Sequence, residues 1–318
     1  MSINRRTFLK QGLAASVAAG LSLSGAAPAG AKPKTVRVKG LKAKRVLIIT
    51  FDGIRVDALQ QAHTPNIDAL IAAGSASMET RDVMPSVTLP NYTSHLSGAG
   101  PEVHGVVDNS WKIDDYKLPA VETDEDGYFP TVFKVLKDNI PGIKTAFYWN
   151  WRALITPHNP KAIDDSLYAD KYAYIPLYER AFEFIKENRN VPTFTFLYTV
   201  HTDHMGHLHE WMSPEYIKSI EEADVEVGKL IAKLKDAGLY DDAHIMFISD
   251  HGGIGKHHGG ISREEMIVPW VIEGPGIKKG FTITEANNTV NTASTVLRLF
   301  GAPQPLCWTG EVPESIFK

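Results

Sequence analysis

Short apolar runs alternate with amphipathic segments along most of the chain. The apolar runs are typical of buried strands, and they lie at Arg45–Phe51, Lys144–Trp149, Thr193–Val200, His244–Ser249 and Pro269–Ile272. Helical periodicity covers Asn66–Ala73, Phe129–Ile140, Tyr178–Asn188 and the stretch from Ser213 to about Ala237. Strands that alternate with helices predict one α/β domain built on a mostly parallel sheet.

Three of the predicted strands run into acidic side chains. Asp52 follows the first, Asp203 comes shortly after the third, and Asp250 with His251 follows the fourth. The carboxyl ends of parallel strands meet at one edge of a sheet, where open α/β folds bind their ligands. One aspartate there is an ordinary turn or cap residue. Three carboxylates packed together repel one another, so a multivalent cation is the expected occupant.

The stretch His201–His209, HTDHMGHLH, holds four histidines and one aspartate. Histidine is the commonest metal ligand, which favours a metal site. A polar, solvated loop would have the same composition. The stretch alone does not choose between these two readings, and the choice depends on what converges on it.

A candidate nucleophile lies before a short helix that Pro90 should begin and Gly98 should end. Thr88 is expected just outside the N-terminus of that helix, where free amides and the helix dipole favour an anion such as phosphate. A threonine hydroxyl is a weak nucleophile unless a metal or a base activates it. Without a metal nearby, Thr88 would be only a capping residue.

Five motifs occur in order between residue 45 and about residue 277. They are Asp52-Gly, Thr88-x-Pro-Asn, Asp203-x-x-x-His207, Ser249-Asp-His-Gly252 and His258-Gly. Together they resemble the alkaline phosphatase superfamily and, within it, the type I phosphodiesterase/nucleotide pyrophosphatase family. The resemblance implies an α/β fold, an alkaline-phosphatase-like three-layer α/β/α sandwich with a mostly parallel central sheet and the metal site at the C-terminal ends of its strands. It also implies hydrolysis of phosphoric esters.

The resemblance implies two divalent ions, expected to be Zn²⁺, held by two sets of side chains. One set is Asp52, Asp250 and His251, with Thr88 as the nucleophile coordinated to the same ion. The other set is Asp203, His207 and His258. Two ions of this kind can stabilise the attacking and leaving oxygens of an in-line displacement. The expected product of the first step is a phosphothreonine intermediate, which water then hydrolyses.

The substrate contacts are less strongly indicated. Asn109 matches the family asparagine that contacts a phosphoryl oxygen. Leu89 stands where nucleotide pyrophosphatases commonly have a phenylalanine that stacks on a base, and this departs from a nucleotide-binding pattern. Trp149 and Trp151 could offer a ring to the substrate, and Arg152 could contact a phosphate. Aromatic residues at a strand end are also common in cores.

Several rival functions use related residues. Sulfatases of this fold need cysteine or serine at the position of Thr88 and arginine at that of Tyr92, so sulfatase activity is disfavoured. A phosphomonoesterase or phosphonate hydrolase shares the metal chemistry and stays open. A non-catalytic periplasmic metal-binding protein is the alternative from another class, and in it Thr88 would be dispensable.

The N-terminus resembles a bacterial export signal. Arg5-Arg6 precede Phe8-Leu9-Lys10 and a small, apolar run, which is the pattern of a twin-arginine signal peptide over residues 1–31. This predicts use of the twin-arginine export machinery, a periplasmic or secreted location, and one hydrolase domain over residues 32–318. The apolar run is too short for a stable membrane anchor.

Charge and cysteine content agree with such a protein. Removing residues 1–31 takes away three of the 33 basic residues and none of the 37 acidic ones, so the net charge becomes −7. A mildly acidic protein is not expected to bind nucleic-acid polymers. The family resemblance implies a small phosphate ester as the substrate. Cys307 is the single cysteine, so the chain can form no internal disulfide.

Overall fold

The structure is a computed structural model that describes residues 35–36, 42–170 and 173–318. The predicted signal peptide at residues 1–31 lies outside the described residues, so this boundary stays a prediction. Within the described ranges, no helix is both long and apolar enough to cross a membrane.

The described residues form ten strands. They are β1 (Thr35–Val36), β2 (Arg45–Phe51), β3 (Ser75–Arg81), β4 (Lys144–Trp149), β5 (Asp165–Tyr168), β6 (Thr193–Thr199), β7 (Ala243–Ile248), β8 (Ile267–Glu273), β9 (Phe281–Thr282) and β10 (Gln304–Pro305). Eight of them build one sheet in the order β5-β4-β6-β2-β7-β8-β3-β9, and β1 pairs with β10 separately. The five strands from β5 to β7 are mutually parallel, whereas β8 runs antiparallel to both of its neighbours.

Ten α-helices accompany these strands in the same described ranges. They are α1 (Val56–Gln61), α2 (Pro65–Ala73), α3 (Thr88–Ser97), α4 (Pro101–His104), α5 (Val132–Asn139), α6 (Ile175–Glu187), α7 (His201–His209), α8 (Pro214–Asp236), α9 (Arg263–Met266) and α10 (Asn291–Phe300). Helices α3, α5 and α10 pack on one face of the sheet, and α1, α2, α6 and α8 pack on the other.

The side chains of β2 show how the sheet serves two cores. Val46 and Ile48 point into the core beneath α3, α5 and α10, whereas Leu47 and Ile49 point into the core beneath α6 and α8. A strand buried on both faces needs an unbroken apolar run, which is what the sequence has there. The predicted fold, a three-layer α/β/α sandwich with a mostly parallel sheet, is confirmed.

Most predicted elements appear with similar bounds, and two differences are instructive. Helix α5 begins at Val132 and not near Phe129, because its N-cap Thr131 has extended backbone angles, φ −97° and ψ 166°. The carbonyl of Pro130, just before the N-cap, accepts a hydrogen bond from Trp308 Nε1 at 3.0 Å. Strand β3, whose residues are largely small or polar, was not predicted. It is held by pairing with β8, so its position depends on tertiary contacts that periodicity does not reveal.

Candidate active site

Asp52 and Asp250 lie at the same edge of the sheet because β2 and β7 are parallel neighbours. Both side chains are fully buried. Asp52 Oδ2 accepts a short hydrogen bond from the Tyr198 hydroxyl, and Asp250 Oδ1 accepts one from the Gly53 amide at 3.1 Å. The other oxygens, Asp52 Oδ1 and Asp250 Oδ2, have no hydrogen-bond donor among the described residues. Each carboxylate therefore presents one bare oxygen to the site.

His251 directs a lone pair at the same point. Its Nδ1 donates to the Gly252 carbonyl at 2.8 Å, and since a carbonyl only accepts, the free nitrogen is Nε2. Nε2 lies 3.3 Å from both Asp52 Oδ1 and Asp250 Oδ2. Burial lowers the pKa of His251 to about 3, which keeps the ring neutral at pH 7. Asp52, Asp250 and His251 are called the buried triad below.

Asp203 and His207 come from α7, which begins directly after β6 and its connecting residue Val200. Their four-residue spacing places both side chains on one face of the helix. His207 Nε2 lies 3.4 Å from Asp203 Oδ1, and His258 Nε2 lies 3.7 Å from the same oxygen. Asp203 Oδ1 also lacks a hydrogen-bond donor within the described ranges. Asp203, His207 and His258 are called the outer triad.

The two outer histidines are held in the same way as His251. His207 Nδ1 donates to the carbonyl of Lys256 at 2.8 Å, and His258 Nδ1 donates to that of Ser86 at 2.9 Å. Each ring is thus fixed by a backbone carbonyl and turns Nε2 towards the carboxylates. A hydrogen bond of this kind from the second ring nitrogen is usual for metal-bound histidine.

The electrostatics of the site favour a bound cation. Burial raises the pKa of Asp52 well above its usual value, and the charges of Asp250 and Asp203 raise it further. Burial also raises the pKa values of Asp250 and Asp203. Carboxylates with bare oxygens beside neutral imidazole nitrogens form a donor set that suits zinc or a similar divalent ion.

The two triads are close enough to work together. The ligand atoms of the outer triad lie within 4.8 Å of one another, and so do those of Asp52, Asp203 and His251. The rings of His251 and His258 stack with centroids 3.7 Å apart. Asp203 therefore lies at the junction of the two triads, with its carboxylate close to ligand atoms of both.

Thr88 sits beside the buried triad, but not where the sequence placed it. It is the first residue of α3, with Val87 as the N-cap, rather than a residue before the helix. The N-cap has extended backbone angles, φ −130° and ψ 156°, so the helical conformation begins at Thr88, two residues before Pro90. The Thr88 hydroxyl lies 3.3 Å from His251 Nε2. The side chain is 5% exposed, so the hydroxyl is largely shielded from water.

Asn109 lies next to Thr88 at the start of α3. Its Oδ1 accepts a hydrogen bond from the Leu89 amide at 2.8 Å, which leaves its Nδ2 group as the donor end. Asn109 and Thr88 both line a cleft of about 400 Å³. The other lining residues are Asp52, Trp151, Tyr198, Val200, Asp203, His204, His207 and His258.

Besides Asn109, the sequence suggested four substrate contacts, and of these only Trp151 lines this cleft. The side chains of Leu89 and Trp149 are buried in the core, so neither reaches the cleft. The exposed guanidinium of Arg152 lies over the ring of Tyr168, 4.6 Å from its centroid. Trp149, the aromatic residue at the end of β4, therefore belongs to the core, as aromatic residues at strand ends commonly do.

Sequence reasoning missed several residues at the cleft. Tyr198 pairs with Thr50 across β6 and β2, which carries its hydroxyl to Asp52, yet no motif marks it. Val200 also lines the cleft, as does His204, whose role the sequence left open between a contact to substrate, a contact to the metal ligands and a solvated side chain. His201 stacks on Tyr174 with centroids 5.2 Å apart.

The HTDHMGHLH stretch is a helix and not a loop. Its polar side chains therefore point in different directions, and the two that face the site are one helical turn apart. Asp203 and His207 face the site, and His204 lines the cleft beside them. His209 is exposed at the end of the helix. The stretch thus contributes one carboxylate and one histidine to the outer triad.

Comparison with known proteins agrees with these motifs. Residues 46–260 match the family described as type I phosphodiesterase / nucleotide pyrophosphatase. The chain belongs to this family. The ordered motifs of the two triads all fall within the matched residues.

Individual relatives are distant and longer. Mouse ectonucleotide pyrophosphatase/phosphodiesterase family member 3 is 27% identical over 228 residues, covering 67% of this chain and 25% of that protein. The bovine bis(5'-adenosyl)-triphosphatase ENPP4 is 26% identical over 217 residues, covering 65% of this chain and 47% of that protein. The matched region thus spans a quarter to a half of these relatives.

Solved structures share the fold. An inactive variant of murine ectonucleotide pyrophosphatase/phosphodiesterase 5 in complex with AMP superimposes with a TM-score of 0.72 at 17% identity, covering 86% of this chain and all of that one. The lipoteichoic acid synthase LtaP of Listeria monocytogenes gives a TM-score of 0.65 at 18% identity, covering 86% of this chain and 76% of that one. At these identities the likeness concerns the fold alone.

Proposed function

We propose that this protein is a two-cation hydrolase of phosphoric diesters that acts through Thr88. The observation that carries the proposal is the convergence of three bare carboxylate oxygens and three imidazole Nε2 atoms beside the Thr88 hydroxyl. A purely structural cluster would satisfy such buried oxygens with hydrogen-bond donors. A site that only stores metal would have no need of a shielded hydroxyl at a helix N-terminus.

The two triads would hold the ions, and Zn²⁺ is the expected metal. When bound, the ions supply Lewis-acid stabilisation of the charged oxygens and lower the pKa values of a hydroxyl and of water. The remaining steps belong to the protein. Thr88 Oγ1, having lost its proton to water, forms a bond to phosphorus while the ester oxygen of the leaving alcohol departs. Water then cleaves the bond between phosphorus and Thr88 Oγ1 and releases the monoester.

Asn109 and the first turn of α3 hold the phosphoryl group during both steps. The Nδ2 group of Asn109 is free to donate because its Oδ1 is already used by the Leu89 amide. The dipole at the start of α3, with the backbone amide of Thr88 at its first position, favours the negative charge that develops on the phosphoryl oxygens. The hydroxyl of Tyr198 orients Asp52 through their short hydrogen bond.

The cleft also bears on the type of ester. Trp151 and Val200 form an apolar wall beside the cation-binding side chains, which offers room for a second organic group on the phosphate. This favours a diester over a monoester. The rivals that share the metal chemistry are phosphomonoester and phosphonate hydrolases.

A substrate panel tests the proposal directly. Zinc-loaded protein is assayed with bis-p-nitrophenyl phosphate, p-nitrophenyl phosphate, p-nitrophenyl sulfate and a dinucleotide. The diester is expected to have the highest kcat/KM and the sulfate the lowest. Preference for the monoester would replace the proposed diesterase with a phosphomonoesterase, and preference for the sulfate would make the site that of a sulfatase.

We also propose that the protein is exported to the periplasm or secreted by the twin-arginine machinery. The support is the Arg5-Arg6 pair followed by Phe8-Leu9-Lys10 and an apolar run. Replacing both arginines with lysine should leave the precursor in the cytoplasm, as measured by cell fractionation. Unchanged export of this variant would contradict twin-arginine transport.

A further inference from the structure

We propose that Trp211 is a positioning residue that holds the outer triad against the buried triad. It follows α7, is 4% exposed, and is not itself a candidate ligand. The proposal rests on the proposed function, because it assumes that the two triads bind cations. It adds a residue that no motif of the sequence indicates.

Two hydrogen bonds anchor Trp211 between loops of the site. Its indole Nε1 donates to the carbonyl of Gly53 at 2.8 Å, directly after Asp52. Its backbone amide donates to the carbonyl of Gly255 at 2.8 Å, in the loop that leads from His251 to His258. Trp211 thereby links the end of β2 to the loop after β7.

The indole is also clamped between two glycines on opposite sides. A Cβ atom at Gly206, in α7, would lie 2.7 Å from the indole ring, and one at Gly253 would lie 2.5 Å from it. Contacts this short do not occur for real Cβ atoms, so both positions must be glycine while Trp211 is in place. Gly206 lies one residue before His207, and Gly253 lies two residues after His251. The indole therefore sets the separation between the segments that carry the two triads.

The Trp211 ring also contacts both outer histidines, His207 and His258. The centroid of the Trp211 ring lies 5.1 Å from that of His207 and 5.9 Å from that of His258, both in edge-to-face geometry. Residues that orient a metal-bound histidine commonly change metal affinity by about 10- to 100-fold when they are replaced. Trp211 is thus placed to orient two of the three outer ligands.

Trp308 provides a matched control because it is held in a similar way elsewhere. It is 5% exposed, its ring would lie 2.4 Å from a Cβ atom at Gly98, and its Nε1 donates to the Pro130 carbonyl at 3.0 Å. Its replacement removes a buried indole, a glycine contact and a hydrogen bond to a carbonyl, as replacement of Trp211 does. It does not remove a contact to a residue of either triad.

The experiment measures zinc binding, which is independent of catalysis. Metal-free wild type, Trp211→Leu, Trp211→Phe and Trp308→Leu are titrated with Zn²⁺ against a chromophoric chelator. Wild type and Trp308→Leu should each bind two ions, and the affinity for each ion should be the same in the two proteins. Trp211→Leu should keep one tight ion and bind the other at least about tenfold more weakly. Trp211→Phe, which keeps a ring but lacks the N–H group, should fall between them.

Unchanged affinity for both ions in Trp211→Leu and Trp211→Phe would overturn the inference while leaving the proposed function intact. An equal loss at both ions in Trp211→Phe would also overturn it, because that result marks a general structural role. A wild type that binds fewer than two ions would instead overturn the two-cation function on which the inference rests.

A size-exchange rescue gives a second, independent result. Gly253→Ala should lower the affinity for one zinc ion, because the added Cβ displaces the indole. Adding Trp211→Leu to Gly253→Ala relieves that collision, so the double variant should bind zinc no more weakly than Trp211→Leu alone. Two independent, multiplying losses in the double variant would show that the glycine and the indole act separately, which contradicts the clamp.

Discussion

The buried triad and the outer triad have the same kinds of donor atom but different support. Asp52, Asp250 and His251 follow the central strands β2 and β7 and are inaccessible to solvent. The outer triad comes from α7 and from the loop after β7, and the side chain of His207 is 40% exposed. The ends of adjacent central strands position the first group, whereas a helix, a loop and the contacts of Trp211 position the second.

This difference suggests a division of tasks. His251 Nε2 of the buried triad lies 3.3 Å from the Thr88 hydroxyl, so this triad is suited to activate the nucleophile in a dry environment. The outer triad is open to the cleft and can exchange water, substrate and metal more readily. We therefore expect damage to the buried triad to abolish activity, and damage to the outer triad to be partly reversible.

The largest effect is expected at the buried triad. Asp52→Asn removes a ligand charge beside Thr88 and should lower kcat/KM for the diester by at least about 1,000-fold. Added zinc should not restore activity, since the missing charge lies in a closed site. The measurement is the rate of bis-p-nitrophenyl phosphate hydrolysis over a range of zinc concentrations. Full recovery at millimolar zinc would remove the distinction between the triads.

A smaller and reversible loss is expected at the outer triad. His258→Ala leaves Asp203 and His207 as ligands, so the variant should bind its second ion weakly and lose about 100-fold in kcat/KM at low zinc. Raising the zinc concentration should recover much of that loss, because His207, one of the two remaining ligands, is exposed to solvent. His209→Ala, which changes an exposed histidine of the same helix, serves as the control and should behave as wild type. A loss at His258→Ala that zinc does not relieve would contradict the comparison.

The smallest effect concerns the stability of the metal-free protein. The folded-state pKa of Asp52 is raised by burial and by Asp250 and Asp203, so its contribution to stability is present below the unfolded pKa of 3.8 and is lost as pH rises through the folded value. Asparagine cannot ionise, so metal-free Asp52→Asn should melt a few degrees above metal-free wild type at pH 8, with a smaller difference at pH 5. Thermal unfolding with a chelator measures this.

The same comparison with zinc should change sign. Bound zinc neutralises the negative charge of the carboxylates, so zinc-loaded wild type should melt at a higher temperature than zinc-loaded Asp52→Asn at pH 8. His207→Gln, in the exposed part of the outer triad, should alter the metal-free melting temperature little. If metal-free Asp52→Asn were less stable than wild type at pH 8, ionisation of the buried carboxylates would not be what destabilises the metal-free protein.

Sequence patterns predicted the strands better than the contacts between elements. The run Arg45–Phe51 gives the bounds of β2 correctly, because the apolar residues at its centre, 46–49, are typical of a strand buried on both faces. The six triad residues follow from ordered motifs, and the structure brings them together, although their roles as ligands stay predictions. The antiparallel direction of β8 was not predicted, because an apolar run does not encode strand direction.

The misplaced and missed residues share one cause. The position after Thr88 suggested Leu89 as a substrate contact, and an aromatic run after a strand suggested Trp149 and Arg152. Packing turns Leu89 and Trp149 into the core and Arg152 onto Tyr168. Trp211 was missed although it lies eight residues after Asp203, since its contacts to Gly53 and Gly253 form only when the loops assemble. Local sequence specifies which chemistry is available, whereas tertiary packing decides which side chains reach the cleft.

The most direct test of the central claim compares kcat/KM for bis-p-nitrophenyl phosphate in zinc-loaded wild type, Thr88→Ala, Thr88→Ser and Thr93→Ala. Thr93 lies in the same helix, and its hydroxyl donates to the carbonyl of Leu89 within that helix. The account predicts that Thr88→Ala binds two zinc ions yet loses at least about 1,000-fold in kcat/KM, whereas Thr88→Ser keeps part of the activity and Thr93→Ala keeps nearly all. A Thr88→Ala variant that binds two ions and hydrolyses the diester at the wild-type rate would contradict it.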